Sequence, residues 1–94
     1  MFSGAEAFNQ DIGNWDVSGV TDMNGMFRGT PFNQPIDNWD VSNVTSMLGM
    51  FENALFMNQD LSSWSVDGVT YCLDFSDGAS SWTLPQPNFT LCNP

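Results

Sequence analysis

The sequence predicts a right-handed repeat solenoid, in which each coil carries one short parallel β-strand and one short helical or 3₁₀ turn. Two observations predict it: the sequence repeats itself with a period of about 25 residues, and apolar residues recur at fixed places in each repeat. A repeat this short cannot bury a core alone, so neighbouring copies must stack. We expect about three and a half coils in residues 1–76 (copies 1–25, 26–49 and 50–76) and a C-terminal cap in residues 77–94.

The repeat is clearest in three aligned ranges, Phe8–Phe27, Phe32–Phe51 and Met57–Ser76. Each range, with the two residues that follow it, is called below the first, second or third copy. The first two are identical at 15 of 20 positions, and the third keeps the Asn-Gln pair, the Trp and the Val-x-x-Val-Thr spacing. Met1-Phe2 aligns with Met26-Phe27, so we expect the chain to begin partway round a coil.

The apolar spacing predicts the elements of each coil. Ile12, Trp15 and Val17 follow the rhythm of a leucine-rich repeat, which predicts a strand at Trp15-Asp16-Val17 and its equivalents, 39–41 and 64–66. Val20, Met23 and the apolar residues after them have helical spacing, with N-cap residues before the turn at Ser18, Ser42 and Asp67. A second short strand at Val20–Met23 is the alternative.

The motif Ile-x-x-Trp-Asp-Val-Ser-x-Val-Thr-x-Met-x-x-Met-Phe, followed by Phe-Asn-Gln, resembles the BspA-like leucine-rich-repeat family of surface proteins, and within it a lipoprotein-type repeat of unknown function. The resemblance covers Met1 to about Ser76. It implies a leucine-rich-repeat-like solenoid and a secreted or cell-surface location, with adhesion proposed for some members. It implies no ligand and no binding residue.

Composition excludes several function classes. Eleven acids face a single base, Arg28, and the chain has neither Lys nor His, giving a net charge of −10. Nucleic-acid binding depends on Lys and Arg, and the common catalytic triads depend on His. No apolar run is long enough to cross a membrane. We therefore expect no enzyme, no nucleic-acid partner and no direct membrane insertion.

Equivalent side chains of successive coils should form ladders. Asn9, Asn33 and Asn58 form one, with Gln10, Gln34 and Gln59 beside it, and we interpret it as satisfying backbone groups between coils rather than contacting a ligand. Trp15, Trp39 and Trp64 form another. We expect these rings in the core, although an exposed row would suit sugar rings.

A third ladder, Asp16 above Asp40, lies at the outward position of the predicted strand. Three explanations compete: the acids cap turn amides, they bind a hard cation such as Ca²⁺ with nearby Asn and Ser oxygens, or they form a carboxylate pair for glycoside cleavage. Capping is favoured. No fixed-spacing calcium loop is present, and no other cofactor is expected.

Two kinds of covalent modification are predicted. Cys72 occupies the slot of Met23 and Met47, and Cys92 lies in the cap, so a disulfide should fasten the cap to the last coil; two unpaired buried thiols are the alternative. Asn43-Val-Thr and Asn88-Phe-Thr are N-glycosylation sequons.

Together these features favour a non-catalytic extracellular or cell-surface module for adhesion or recognition, with a protein or glycan ligand and the acidic strand face as binding surface. The alternative is a structural subunit that stacks end to end into a filament or longer array. A carbohydrate-active enzyme is a third, less favoured hypothesis.

Overall fold

A computed structural model of the chain describes residues 4, 5 and 7–94. These residues contain no helix and no strand; they form turns and loops, with parallel bridges only at Asp22–Ser46 and Ser46–Tyr71. The predicted leucine-rich-repeat-like solenoid with a parallel sheet is therefore wrong. The described part is a compact, mostly loop globule with a radius of gyration of 11.7 Å. The expected repeat register of Met1 lies outside the described residues.

The predicted strand and helical turn fail for a local reason: the chain turns too often. The Trp15 N–H bonds the carbonyl of Ile12, and the Val20 N–H bonds that of Val17, so the Trp-Asp-Val residues lie between consecutive turns. The predicted helical segment is also a series of i to i−3 turns. The N-cap prediction fails with it, because no helix follows Ser18, Ser42 or Asp67 in the part of the chain the structure describes.

Left-handed backbone conformations bend each copy at two equivalent places. Gly25, Gly49 and Asp74 share one of them, with φ of 61°, 56° and 60°. The other is shared by Gly4, Gly29, Asn53 and Gly78. These are residue types that tolerate positive φ. At Gly49 space is also restricted, since an added Cβ would come within 2.5 Å of Arg28 Nη2. The backbone of each copy therefore changes direction at the same two places.

The copies nevertheless lie side by side at the spacing that the sequence predicts. The N–H of Thr45 bonds the carbonyl of Thr21, and that of Thr70 bonds Thr45, at 2.8 and 2.9 Å. Pairing occurs immediately after Val20, the place of the alternative second strand, rather than at the Trp-Asp-Val residues. Long-range backbone hydrogen bonds between turns, rather than a sheet, therefore join the copies.

One continuous core runs through the copies. Each contributes equivalent buried side chains, including Met23, Met47 and Cys72, whose exposed fractions are 2% or less. Phe27 lies between Phe32 and Phe51, with ring centroids 4.2 and 5.3 Å away. Among the described residues no buried side-chain N or O lacks a hydrogen-bond partner. The core leaves the polar ends of each turn on the surface.

Candidate functional site: an exposed apolar and acidic surface

The predicted tryptophan ladder is confirmed at two of its three positions. Trp39 and Trp64 are buried and their rings stack 6.5 Å apart. Each indole N–H bonds a carbonyl of the preceding copy, Trp39 to Ile12 and Trp64 to Ile36, both at 3.0 Å. The prediction is wrong for Trp15, which is 46% exposed. Only two of the three rings therefore belong to the core.

The asparagine ladder serves as a connection between copies. Asn9 Oδ1 accepts the N–H of Asn33, and Asn33 Oδ1 accepts the N–H of Asn58. Asn58 Oδ1 then accepts the N–H groups of Thr83 and Leu84. The same contact thus continues beyond Ser76 into the C-terminal segment. The signal was in the sequence, because Trp82-Thr83 stands one repeat length after Met57-Asn58.

Asp16 and Asp40 cap turns in the way favoured from the sequence. In each, Oδ1 accepts the hydroxyl of the serine two residues on at 2.6 Å and its N–H at 3.0 Å; the serines are Ser18 and Ser42. Asp60, which the sequence argument did not single out, binds Ser62 in the same way. The serine hydroxyl, followed by the serine N–H, holds the pKa of all three carboxyl groups below the ordinary value.

Desolvation and the negative charge of Asp16 oppose part of this lowering of the Asp40 pKa. In the part of the chain that the structure describes, no group of three or more His, Cys, Asp or Glu is arranged to hold a metal ion. Calcium binding at Asp16 and Asp40 stays a prediction, with one carboxylate oxygen of each already bonded to serine.

The predicted disulfide between Cys72 and Cys92 is present, with Cα atoms 5.9 Å apart. It joins the C-terminal segment to the third copy. Phe89 packs edge-on against Phe75, and the indole N–H of Trp82 donates to the Gln59 carbonyl. The segment therefore covers the apolar side of the third copy.

Both predicted glycosylation sites, Asn43 and Asn88, are exposed. The Asn43 amide is already used between copies, because its Nδ2 donates to the carbonyl of Ser18 at 2.7 Å. No hydrogen bond to the Asn88 side chain occurs among the described residues. Of the two sequons, Asn88 has the less occupied amide.

Sequence reasoning missed the most exposed apolar pair on the paired segments. Tyr71 and Leu73 are 61% and 62% exposed and flank the buried Cys72. The bridge from Ser46 to Tyr71 places Leu48, which is half-buried, at the position beside Leu73. The exposed acids Asp67 and Asp74 are close in sequence to the pair. We call Leu48, Tyr71 and Leu73 the apolar patch; alternation around Cys72 was the signal that could have found it.

A second apolar feature lies where loops of neighbouring copies meet. It is a shallow pocket of about 220 Å³ beside the exposed Leu55 and Phe56, lined by Gly29, Thr30, Pro31, Asn53, Leu55 and Phe56. The third copy has one more residue than the second between its preceding aromatic and its Asn-Gln pair, and Phe56 lies in this longer connection. No acidic or basic residue lines the pocket, so it could bind an apolar group but has no side chain for acid–base catalysis.

The single base is bound within the fold. Arg28 Nε lies 3.0 Å from Glu52 Oε1, and the two residues occupy equivalent positions in neighbouring copies. The equivalent residue of the next copy is Asp77, which is exposed. No helix among the described residues is long and apolar enough to cross a membrane.

A family model described as "Mycoplasma protein of unknown function, DUF285" matches residues 1–89. The chain belongs to the DUF285 family. No curated protein and no solved structure matches it significantly.

Membership of the DUF285 family corrects the resemblance drawn from the sequence. The family is related to BspA-type repeat proteins, but the leucine-rich-repeat description does not hold for this chain. The described residues have neither the strand nor the helical turn that defines such a repeat, because their copies are built from consecutive turns. The DUF285 match extends through Phe89, past the point where the recognisable motif ends.

Proposed function

We propose that this chain is a non-catalytic recognition module that binds another polypeptide through the apolar patch, outside the cell or on a cell surface. The observation that carries the proposal is the exposure of Tyr71 and Leu73, at 61% and 62%. Most other apolar residues of the segments joined by the bridges at Asp22, Ser46 and Tyr71 are buried. Exposed apolar side chains beside polar ones are typical of protein interaction sites. Tyr is also enriched among residues that dominate binding energy.

Charge and covalent structure support the remaining parts of the proposal. A net charge of −10 favours partners with basic side chains and speeds their association. The Cys72–Cys92 disulfide supports an oxidising compartment, where such bonds persist. The absence of His and Lys removes the most common general bases, which supports a binding role.

A selection from a random peptide library displayed on phage tests this function. We expect enriched peptides to combine apolar and basic residues, and the double substitution Tyr71→Ser with Leu73→Ser to remove most of their binding. The matched control is Leu55→Ser with Phe56→Ser, which removes equally exposed apolar surface elsewhere. Loss of binding in the control alone, or no enrichment on the wild-type protein, would contradict the proposed function.

The alternative function is end-to-end stacking into a filament. One observation favours it: Trp15 is 46% exposed at the outer side of the first copy, where its equivalents in later copies are covered. Two observations oppose it. The Gly4 N–H already binds the Arg28 carbonyl at that side, at 2.8 Å, and each molecule carries a charge of −10. Sedimentation velocity at increasing protein concentration separates the two functions, since a filament subunit forms large species.

A further inference from the structure

Backbone N–H groups at alternate positions of each copy face the next copy along the chain. In the first and second copies these groups donate hydrogen bonds to carbonyls of that next copy. In the second copy, alternate N–H groups donate to carbonyls of the third over 2.7 to 3.0 Å: Met47 to Tyr71, Gly49 to Leu73, Phe51 to Phe75 and Asn53 to Asp77. The first copy donates to the second in the same way from Met23, Gly25, Phe27 and Gly29. Each copy therefore presents a row of donors to the next one.

The third copy has the same row, but part of it is unused. By the spacing of the repeat, its donors are the N–H groups of Cys72, Asp74, Ser76 and Gly78. None of them donates a hydrogen bond among the described residues. Cys72 is buried, whereas Asp74 and Gly78 are exposed and Ser76 is half-buried. We call residues 73–78 the terminal edge; backbone N–H groups that lack an acceptor can pair with the backbone of another chain.

We propose that the terminal edge binds a backbone segment of another polypeptide, whose alternate carbonyls accept the N–H groups of Asp74, Ser76 and Gly78. This inference rests on the proposed function and names the mode of binding at the same surface, because Leu73 belongs to both the edge and the apolar patch. At residues 73–78 the bound segment supplies the backbone acceptors that a following copy would supply. The C-terminal segment already lies against this side of the third copy through the Cys72–Cys92 disulfide, the Phe75–Phe89 contact and the Ser76–Gln86 hydrogen bond.

The shape of the edge specifies the segment. Asp74 and Gly78 have φ of 60° and 76°, so a segment that follows the edge must bend at the same places. Gly, or Asn, satisfies that requirement at the matching positions. An apolar side chain beside Leu73 would cover surface that is 62% exposed.

Charge specifies one more position. Arg28 and Glu52 form an ion pair across two copies, and Asp77 is the next residue at that position. In the bound segment a Lys or Arg beside Asp77 would repeat this pairing, with Arg giving the better geometry. A second copy of the whole protein fits less well, because its own Gly4 already occupies the Arg28 carbonyl that Gly78 would need.

The chain itself supplies a probe with all these features. A synthetic peptide with the sequence of residues 20–31, VTDMNGMFRGTP, contains the two bends at Gly25 and Gly29 and the base Arg28. We expect its saturable binding to shift the amide NMR signals of Asp74, Ser76 and Gly78 and to slow their hydrogen exchange. A control peptide carrying Arg28→Glu should bind about tenfold more weakly, the loss expected when one favourable charge contact becomes repulsive.

A pair of protein variants tests the donors directly. Ser76→Pro removes an N–H that the fold does not use, whereas Ser76→Ala keeps the N–H and loses only the hydroxyl contact to Gln86. We expect the peptide to bind the Ala variant like the wild type and to bind the Pro variant about tenfold more weakly. Should the Pro variant not fold, the amide shifts of the wild-type protein decide.

The outcomes separate the two proposals. Peptides selected from the library that depend on Tyr71 and Leu73 but leave the three amides unshifted would overturn the edge inference and leave the recognition function standing. If the probe instead drives the protein to self-associate, or shifts only residues of the pocket at Leu55 and Phe56, the edge inference is wrong. If no library peptide binds while the probe protects the three amides, the edge is real and the patch is not a general recognition surface.

Discussion

Residues at the same position of the motif differ in burial and in contacts from one copy to the next. Trp39 has a copy on each side: its ring stacks on Trp64 and lies 6.1 Å from Phe27, and its indole N–H donates to the carbonyl of Ile12. Trp15 has the same place in the motif and is 46% exposed. Identical sequence motifs therefore do not give identical environments, and the two tryptophans form a natural pair for comparison.

We expect Trp39→Ala to lower the free energy of unfolding by about 3 to 5 kcal/mol, the range for large aromatic truncations in cores, because it removes a buried ring and a hydrogen bond. Trp15→Ala is the matched control and should cost well under half as much, since its ring is already half in water. Urea unfolding followed by circular dichroism measures both. Equal losses would show that Trp15 is buried in solution.

The capped aspartates make stability depend on pH. The serine contacts lower the pKa of Asp16, Asp40 and Asp60 in the folded state. The three aspartates therefore stabilise the fold at pH above their unfolded-state pKa of about 3.9, and this stabilisation is lost as the pH falls through their lower folded-state pKa. The combined substitution of Ser18, Ser42 and Ser62 by Ala should shrink the drop in melting temperature between pH 5 and pH 2.5. The control Ser65→Ala should leave that drop unchanged.

At the level of the element, each copy is a set of turns held by its neighbours. The contacts that define it, such as the Asn33 N–H to Asn9 Oδ1 bond, join equivalent positions of successive copies. The C-terminal segment uses the same contacts: Asn58 Oδ1 receives Thr83 and Leu84, and Leu61 donates to Pro85 at 2.9 Å. The segment is therefore anchored at one end by the asparagine ladder and at the other by the disulfide.

Reduction of the Cys72–Cys92 disulfide should loosen this segment before the rest of the molecule. A bond closing a loop of 20 residues contributes on the order of 3 kcal/mol. Hydrogen exchange after reduction should speed up most at Thr83 and Leu84 and least at Thr45, whose bond to Thr21 lies two copies away. The double substitution of both cysteines by Ala should reproduce the pattern. Uniform acceleration throughout the chain would mean that the copies unfold as one unit.

For the molecule as a whole, charge opposes compactness. Ten net negative charges on a globule measuring 30 × 26 × 22 Å repel one another, and the one described ion pair, Arg28–Glu52, is partly exposed. Salt should therefore stabilise the fold by screening. Binding of a specific cation by Asp16 and Asp40 would stabilise the fold by a separate effect.

Calcium chloride and sodium chloride at equal ionic strength distinguish the two effects. If Asp16 and Asp40 bind Ca²⁺, millimolar calcium raises the melting temperature beyond the sodium control, following the linkage between binding and stability. Asp40→Asn should then remove the excess, whereas Asp67→Asn should not. A rise that is the same in both salts would leave turn capping as the whole role of these acids.

The amino-acid sequence alone specified the repeat spacing, the burial of Met23, Met47 and Cys72, and the slot from which Cys72 reaches Cys92. These features follow from composition and from the periodicity of apolar residues, which can be recognised without knowing the backbone conformation. The capping by Asp16 and Asp40 was also within reach, because the serine partners lie two residues away.

The remaining features depend on tertiary structure. The predicted strands fail because closely spaced turns flank each Trp-x-Val segment, and apolar spacing does not reveal where the backbone turns. The exposure of Trp15 and Tyr71 depends on which copy covers which, a matter of contacts between residues that lie far apart in sequence. For the same reason the sequence does not show that the N–H groups of Asp74, Ser76 and Gly78 lack acceptors while the equivalent groups of the second copy have them.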